Sequence, residues 1–214
     1  MSADDIAKRL AQHARALQHE IHRVADLFHQ TDFLGDVDNL PHAHYGYLMA
    51  TLGQIDTLSV CHGGNASQDQ TPRMIAFLDR YLYPGRLDVH RAVVQMLRHT
   101  LMHTGALRYL YDPDSKIAYT WRVHFDDLPN SVTHYTLTQV QPVYQDDLRD
   151  HARLAGVTPT SIVALNISLT ALAANLVQGV NAYVADMLAD RAKRALAETE
   201  YPKIQMQQKP INRP

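Results

Sequence analysis

The length, composition and charge of this chain exclude several classes of protein. Its 214 residues are 46% hydrophobic and 20% charged, which is typical of a globular domain and too apolar for a disordered or fibrous chain. A net charge of −2 argues against a protein that holds long nucleic acid by charge alone. The single cysteine, Cys61, excludes an intrachain disulfide and is typical of the reducing cytoplasm.

The first half of the chain has the apolar periodicity of α-helices. Residues 4–30, 42–60 and 71–83 each carry apolar side chains three or four positions apart, and turn-forming residues separate them. Residues 1–17 are amphipathic and contain acids rather than a continuous apolar run, so we expect no export signal there. These patterns predict a bundle of helices.

The most informative stretch is residues 93–105, VVQMLRHTLMHTG. Apolar side chains at helical spacing predict a helix over 88–105 with one buried side. The apolar side chains of this stripe are Val93, Met96, Leu97 and Leu101. Arg98, His99 and His103 interrupt the helix, and ionisable groups are costly to bury. We therefore expect these three side chains to face a crevice or a subunit interface.

The segment from Arg98 to His103 resembles a motif of the HEPN superfamily of small helical domains. In that family an Arg is followed by a polar residue, and a His comes after a gap of four to six residues; Arg98-His99-Thr100-Leu101-Met102-His103 fits this pattern. The resemblance implies an up-and-down helical bundle that forms a homodimer. In catalytic members it implies a metal-independent endoribonuclease, in a host-defence or toxin-like setting, whose Arg and His residues from two subunits face one another.

Two other Arg–His pairs in the chain have a spacing that fits the same pattern. They are Arg15 with His22 and Arg23 with His29, and both lie in the strongly charged first helix. Charged residues on such a helix are usually solvated. The context therefore favours the pair in the apolar helix.

The resemblance implies a role for each of the three central residues. His103 transfers protons, Arg98 binds the scissile phosphate of RNA, and His99 positions the substrate. Residues 98 and 103 point about 140° apart on an ideal helix, so two Arg–His pairs meeting across a dimer suit one phosphate better than a single pair. No cofactor is expected.

A non-catalytic interpretation of the same residues stays open. Arg98 can instead bond helix-terminal carbonyls or pair with Asp146, Asp147 or Asp150, and the two histidines can be satisfied core or interface residues. The chain is then a HEPN-like interaction module or nucleotide-binding module that keeps the bundle without the reaction.

A metal site is the third interpretation. His99 and His103 are one helical turn apart, the correct spacing for two ligands, and His124 or His134 from the following segment can supply a third. The supporting Glu of an HExxH motif is absent from the sequence, as are the motifs GxSxG, GxGxxG and CxxC.

After residue 105 the apolar pattern changes from a helical period to a period of two. Three segments rich in Tyr, Thr and Val predict short strands. They are residues 107–111, 116–125 and 132–140. Turn residues at 112–115 and 126–131 predict hairpin connections between them. The sequence therefore predicts a small antiparallel sheet inserted at about 106–140.

The last third of the chain returns to helical patterns. Residues 141–156 predict a polar helix, 158–168 a short strand, and 168–198 a final helix. Residues 157–185 carry no charge, but apolar and polar positions alternate at helical spacing, so a buried bundle helix is favoured over a membrane span. The polar residues 201–214 predict a disordered tail.

Together these patterns predict one domain over residues 1–200, of the mainly α (α+β) fold class, with an inserted small antiparallel sheet and no membrane span. The resemblance implies that its helices form an HEPN-like up-and-down helical bundle, and that its partners are a second copy of the chain and RNA.

Overall fold

A computed structural model describes residues 1–30, 41–64, 69–95, 110–125, 135–140 and 142–205 of the chain. These residues are mainly helical, with a small mixed sheet. The helices are α1 (Ala3–Gln30), α2 (Pro41–Gly63), α3 (Gln70–Phe77), α4 (Leu87–Val94), α5 (Pro142–Leu154), α6 (Leu169–Ala189) and α7 (Arg191–Gln205). The strands are β1 (Leu110–Asp112), β2 (Ile117–His124), β3 (Tyr135–Gln139) and β4 (Ser161–Ser168).

Helix α1 confirms the prediction of a long amphipathic first helix. Ile6, Leu10 and Ile21 are buried in the core, and α1 packs against α6 and α7. At its start the Ser2 side chain accepts a hydrogen bond from the backbone N–H of Asp5, and the Asp5 carboxylate accepts one from Ser2. This reciprocal capping satisfies backbone donors that a helix start leaves without partners.

Helix α2 extends three residues beyond the predicted end, and a glycine in the left-handed region follows its last residue. Gly64 has φ 73° and its N–H donates to the carbonyl of Val60 at 2.8 Å. A Cβ on Gly64 would lie 3.0 Å from Leu196 Cδ1 of α7. Glycine therefore fits this position because the backbone is left-handed and α7 lies close.

The predicted helix at 71–83 is present, but its second half is not a regular α-helix. After α3 the chain forms a π-helical turn at Leu78–Leu82, and the N–H of Tyr83 donates to Leu78 O at 2.9 Å. Gly85, at φ 84°, then ends the turn, and its N–H donates to the carboxylate of Asp79. Such π turns inside helices often occur at functional sites.

The described strands form one mixed sheet in the order β1-β2-β4-β3. β1 pairs antiparallel with β2, β2 pairs parallel with β4, and β4 pairs antiparallel with β3. Leu165 and Ile167 of β4 join the core of the bundle, whereas Ala164 joins a second cluster with Val140 and Leu148. Helix α5 thus covers the face of the sheet that lies away from the bundle.

Two predictions about this sheet are wrong. The sheet is mixed rather than antiparallel, because β4 lies between β2 and β3 and separates the two strands that were predicted to form a hairpin. β4 also lies beyond the span of 106–140 predicted for the insertion. Turn chemistry at 126–131 is compatible with a hairpin, but a strand with two apolar faces, such as β4, is most stable in the centre of a sheet.

The predicted final helix is divided into two helices at Asp190. The Asp190 backbone is extended, and its side chain accepts hydrogen bonds from Ala192 N at 2.8 Å and Lys193 N at 3.2 Å, which caps the start of α7. α7 continues to Gln205 and buries Tyr201, so the predicted tail boundary at residue 201 is corrected. Within the described ranges no helix combines the length and the apolar character required to cross a bilayer.

Candidate functional site

The three predicted catalytic residues, Arg98, His99 and His103, lie outside the described residues. Helix α4, which precedes them in the chain, begins at Leu87, one residue before the start predicted at residue 88. Val93, the described member of the predicted apolar stripe, is buried. The structure therefore places α4 in the core.

His90 fixes α4 to the π-helical turn, and the sequence did not single it out. The imidazole is fully buried, and its Nε2 lies 2.7 Å from the carbonyl oxygen of Tyr83. Since a carbonyl only accepts, Nε2 carries the proton and donates. The ring also contacts the edge of Tyr83, and Nε2 is 4.0 Å from the Asp79 carboxylate.

The alternative partners proposed for Arg98 are described only in part. Asp150 is exposed and lies 3.5 Å from Arg153 of the same helix. The side chains of Asp146 and Asp147 lie outside the described set.

The candidate ligands of the metal interpretation also lie mostly outside the described residues. This holds for His99, His103 and His134, while the backbone of His124 pairs with Ser168 at the end of β2 and its side chain is not described. Among the residues that the structure describes, no group of three or more His, Cys, Asp or Glu side chains is placed to hold a metal ion.

The described residues do contain a cluster of ionisable groups, where the last turn of α2, the π-helical turn, the end of α6 and the start of α7 meet. We call it the His62 cluster. Its members are His62, Arg80, Tyr81, Tyr183, Asp186 and Lys193. Clusters of ionisable groups with shifted pKa values are candidate functional sites.

One oxygen of Asp186 holds three elements together. Its Oδ2 accepts hydrogen bonds from Tyr81 Oη at 3.0 Å, Lys193 Nζ at 3.1 Å and Arg80 Nη2 at 3.2 Å. The bonds to Lys193, Arg80 and Tyr81, in that order, lower the pKa of Asp186 to about 2. The carboxylate therefore stays ionised well below neutral pH.

His62 lies in a ring of aromatic side chains. Its imidazole makes edge contacts with Phe77, Tyr81 and Tyr183 at centroid distances of 6.1, 5.3 and 6.1 Å. Burial lowers the pKa of His62, and the positive charges of Arg80 and Lys193 lower it further, while Asp186 opposes them. The neutral imidazole is thus the favoured form inside the protein.

Two polar atoms of the cluster are buried without a hydrogen-bond partner among the described residues. They are Nδ1 of His62 and the hydroxyl of Tyr183. Burial raises the pKa of Tyr183 well above its usual value, so the phenol stays neutral. Such buried polar atoms are rare and costly, so their presence in this cluster calls for an explanation.

Cys61, next to His62, is not a reactive thiol in this fold. It is fully buried, and burial raises its pKa to about 12, with a smaller contribution from the negative charge of Glu200. Because the thiolate is the nucleophilic form, a thiol with this pKa is inert near neutral pH.

Gly179 of α6 allows the π-helical turn to lie close to Tyr183. A Cβ at position 179 would be 2.8 Å from Leu82 Cδ1 and 3.0 Å from the carbonyl oxygen of Tyr81. The absence of a side chain at this point lets α6 pack directly on the backbone of the turn. The position of the cluster thus depends on one glycine.

The sequence carries a signal for His62 in its helical periodicity. Positions 48, 55 and 62 of α2 recur every seven residues, so His62 lies on the same inward side as the buried Leu48 and Ile55. Its partners come from residues 77–81 and 183–193, and no sequence pattern links these segments. No family model, curated protein or solved structure matches this chain.

Proposed function

We propose that this protein is a metal-independent endoribonuclease of the HEPN type, acting as a homodimer with RNA as its substrate. The observation that carries the proposal is the pattern Arg98-x4-His103, which follows helix α4 in the sequence and lies in a stretch with helical apolar periodicity. Helix α4 itself buries Val89, Val93 and Val94. This burial supports the view that the segment belongs to the bundle rather than to a surface loop.

The chemistry requires only groups that the predicted site supplies. The ribose 2′-hydroxyl attacks the adjacent phosphorus as a base removes its proton, the bond to the 5′-oxygen breaks, and an acid protonates that oxygen. The products are a 2′,3′-cyclic phosphate and a 5′-hydroxyl. His103 transfers the protons, Arg98 neutralises the charge that develops on phosphate, and His99 positions the substrate.

The geometry of a helix favours a site shared between two subunits. Residues 98 and 103 are five apart, so their directions differ by about 140° on an ideal helix. One pair does not converge on a single phosphate. Two copies of the helix that meet around a twofold axis bring an Arg and a His together from different subunits.

Cleavage of RNA in the presence of EDTA tests the proposal. The full-length protein is incubated with single-stranded and structured RNA, beside Arg98→Ala and His103→Ala. Loss of the proton-transfer group is expected to slow cleavage by about 10²–10⁴-fold, and the product ends should be a 2′,3′-cyclic phosphate and a 5′-hydroxyl. Arg153→Ala and His19→Ala, at exposed positions, are the matched controls and should cleave like the wild type.

The other interpretations are outcomes of the same experiment. Absence of cleavage, or cleavage undiminished in both active-site variants, contradicts the nuclease proposal and leaves the interaction or nucleotide-binding module. A stoichiometric zinc signal that is lost in His99→Ala would instead support the metal site. Sedimentation of the same samples measures whether the protein is a dimer.

A further inference from the structure

We propose that the His62 cluster is an acid-sensitive latch, which holds the start of α7 against the π-helical turn near neutral pH and releases it when His62 takes up a proton. This device is separate from the proposed ribonuclease site. It rests on contacts and charges in the described part of the chain.

The latch spans a hinge of one residue. Asp190 is the single non-helical residue between α6 and α7, and its backbone is extended. Lys193, in the first turn of α7, crosses this hinge to reach Asp186 Oδ2 at 3.1 Å. The same oxygen is bonded to Arg80 and Tyr81 of the π-helical turn. The start of α7 is thus tied to the turn through one carboxylate.

Few groups of the cluster can change charge between about pH 5 and 8. The π-helical turn contributes Arg80, whose pKa is raised by its hydrogen bonds to Tyr81 and Asp186, and Tyr81, whose pKa is raised by burial. Helix α6 contributes Asp186, with a pKa of about 2, and Tyr183, whose pKa burial raises.

The remaining charges near His62 come from α2, α3 and α7, and Arg73 of α3 lies beside Gly63. Cys61 of α2 has a pKa of about 12 and stays neutral. Lys193 of α7 is the second cation that acts on the imidazole, beside Arg80. His62 is therefore the group of the described cluster that gains a positive charge on acidification, at a pH below the ordinary histidine pKa because burial and the two cations lower its own pKa.

Protonation of His62 must weaken the contacts of the two neighbouring cations, because the coupling is reciprocal. Arg80 and Lys193 disfavour the imidazolium, and by thermodynamic linkage the imidazolium disfavours their placement by the same free energy. The proton adds a third positive charge beside a single carboxylate. Lys193 is the cation whose release opens α7, because it is the cation of the cluster that lies on α7 and its helix turn adjoins the hinge.

The release is confined to the first turns of α7. Farther along this helix Ala197 and Tyr201 are buried in the core, and the carboxylate of Glu198 accepts a hydrogen bond from the N–H of Ala3 at 2.8 Å. These contacts contain none of the cluster's groups. We therefore expect local opening over residues 191–196 while the rest of α7 stays packed.

Hydrogen–deuterium exchange of the full chain without RNA tests the latch. Protection factors, corrected for the pH dependence of intrinsic exchange, are measured at pH 7 and pH 5 for the amides of residues 191–196. In the wild type we expect protection to fall on the order of 5-fold, the low end of typical coupling between sites. In His62→Phe, which keeps an aromatic ring in the cluster, protection should not change between the two pH values.

His19→Phe is the matched control, because His19 is exposed on α1 and the same substitution there should leave the fall intact. A wild type with equal protection at both pH values, or an equal fall in His62→Phe, overturns the proposal. Lys193→Gln provides a test that leaves the aromatic ring unchanged. It should show low protection at pH 7 already, with no further loss at pH 5, and a normal pH-dependent fall in this variant also overturns the latch.

Discussion

Two regions of the described helices differ in the kind of side chain that they bury. One is the interface between α1 and α6, and the other is the His62 cluster. The buried residues at the centre of α1 and α6 are apolar, among them Ile6, Leu10, Leu176 and Val180. The His62 cluster instead contains two buried polar atoms without a described partner and three charged side chains. Apolar burial supplies stability without regard to hydrogen-bond geometry, whereas the cluster keeps polar groups at an energetic cost. Such a cost is expected where a protein does something besides fold.

The largest expected effect tests the apolar side of this comparison. Leu176 is fully buried, so Leu176→Ala should lower the free energy of unfolding by about 2–5 kcal/mol, because it removes apolar contacts and leaves a cavity. Leu154 is 82% exposed, and Leu154→Ala should stay within about 0.5 kcal/mol of the wild type. Urea denaturation measures both. Equal effects in the two variants would contradict the described core.

A second pair of variants tests the close packing that positions the cluster. Gly179→Ala should lower the free energy of unfolding by about 1–3 kcal/mol, since the new Cβ lies 2.8 Å from Leu82 Cδ1 and the turn must shift. Gly53→Ala on α2 is the matched control. A Cβ there has no neighbour within 4 Å, so the change should stabilise the helix by up to about 1 kcal/mol.

Thermal or urea unfolding distinguishes these two glycine variants by the sign of the change. A Gly179→Ala protein as stable as the wild type would mean that α6 and the π-helical turn are farther apart than described. Close packing at Gly179 would then not be the feature that brings Tyr81 and Tyr183 together.

The smallest expected effect concerns the polar side of the comparison. Tyr183→Phe removes a buried hydroxyl that has no partner in the described residues, so stability should be unchanged or rise by up to about 1 kcal/mol. Tyr81→Phe removes a bond to Asp186 and should cost about 1 kcal/mol. Urea denaturation at pH 7 measures the difference between the two. A clear loss in Tyr183→Phe would mean that its hydroxyl does have a partner.

Much of the local structure could be predicted from residue patterns. The stripe of Ile6, Leu10 and Ile21 predicts α1, and turn residues at 112–115 predict the connection between β1 and β2. These features depend on neighbours close in the chain, so helical and strand periodicity suffices to find them. The predicted catalytic residues rest on such a local pattern too, and they stay a prediction.

One error arose where distant segments meet, and another where a local helix cap has no distinct sequence signal. The SIVALNI run is apolar on both faces, which is typical of a central parallel strand, but its pairing with β2 involves segments about 40 residues apart. The division of the last helix at Asp190 depends on the side chain of Asp190 capping α7. An Asp inside a charged helical stretch gives no distinct signal for such a cap. The helical pattern therefore predicts one helix across residue 190.

The sequence by itself determined the elements of this protein: mainly helices, four described short strands, and an Arg and two His in an apolar segment. Their periodicity depends only on residues within a turn or two of one another. Only the tertiary structure decided the mixed order of the sheet, the π-helical turn and the meeting of His62, Tyr81, Tyr183 and Asp186. Those features arise from packing between elements far apart in the chain, where one missing Cβ at Gly179 determines how close two backbones lie.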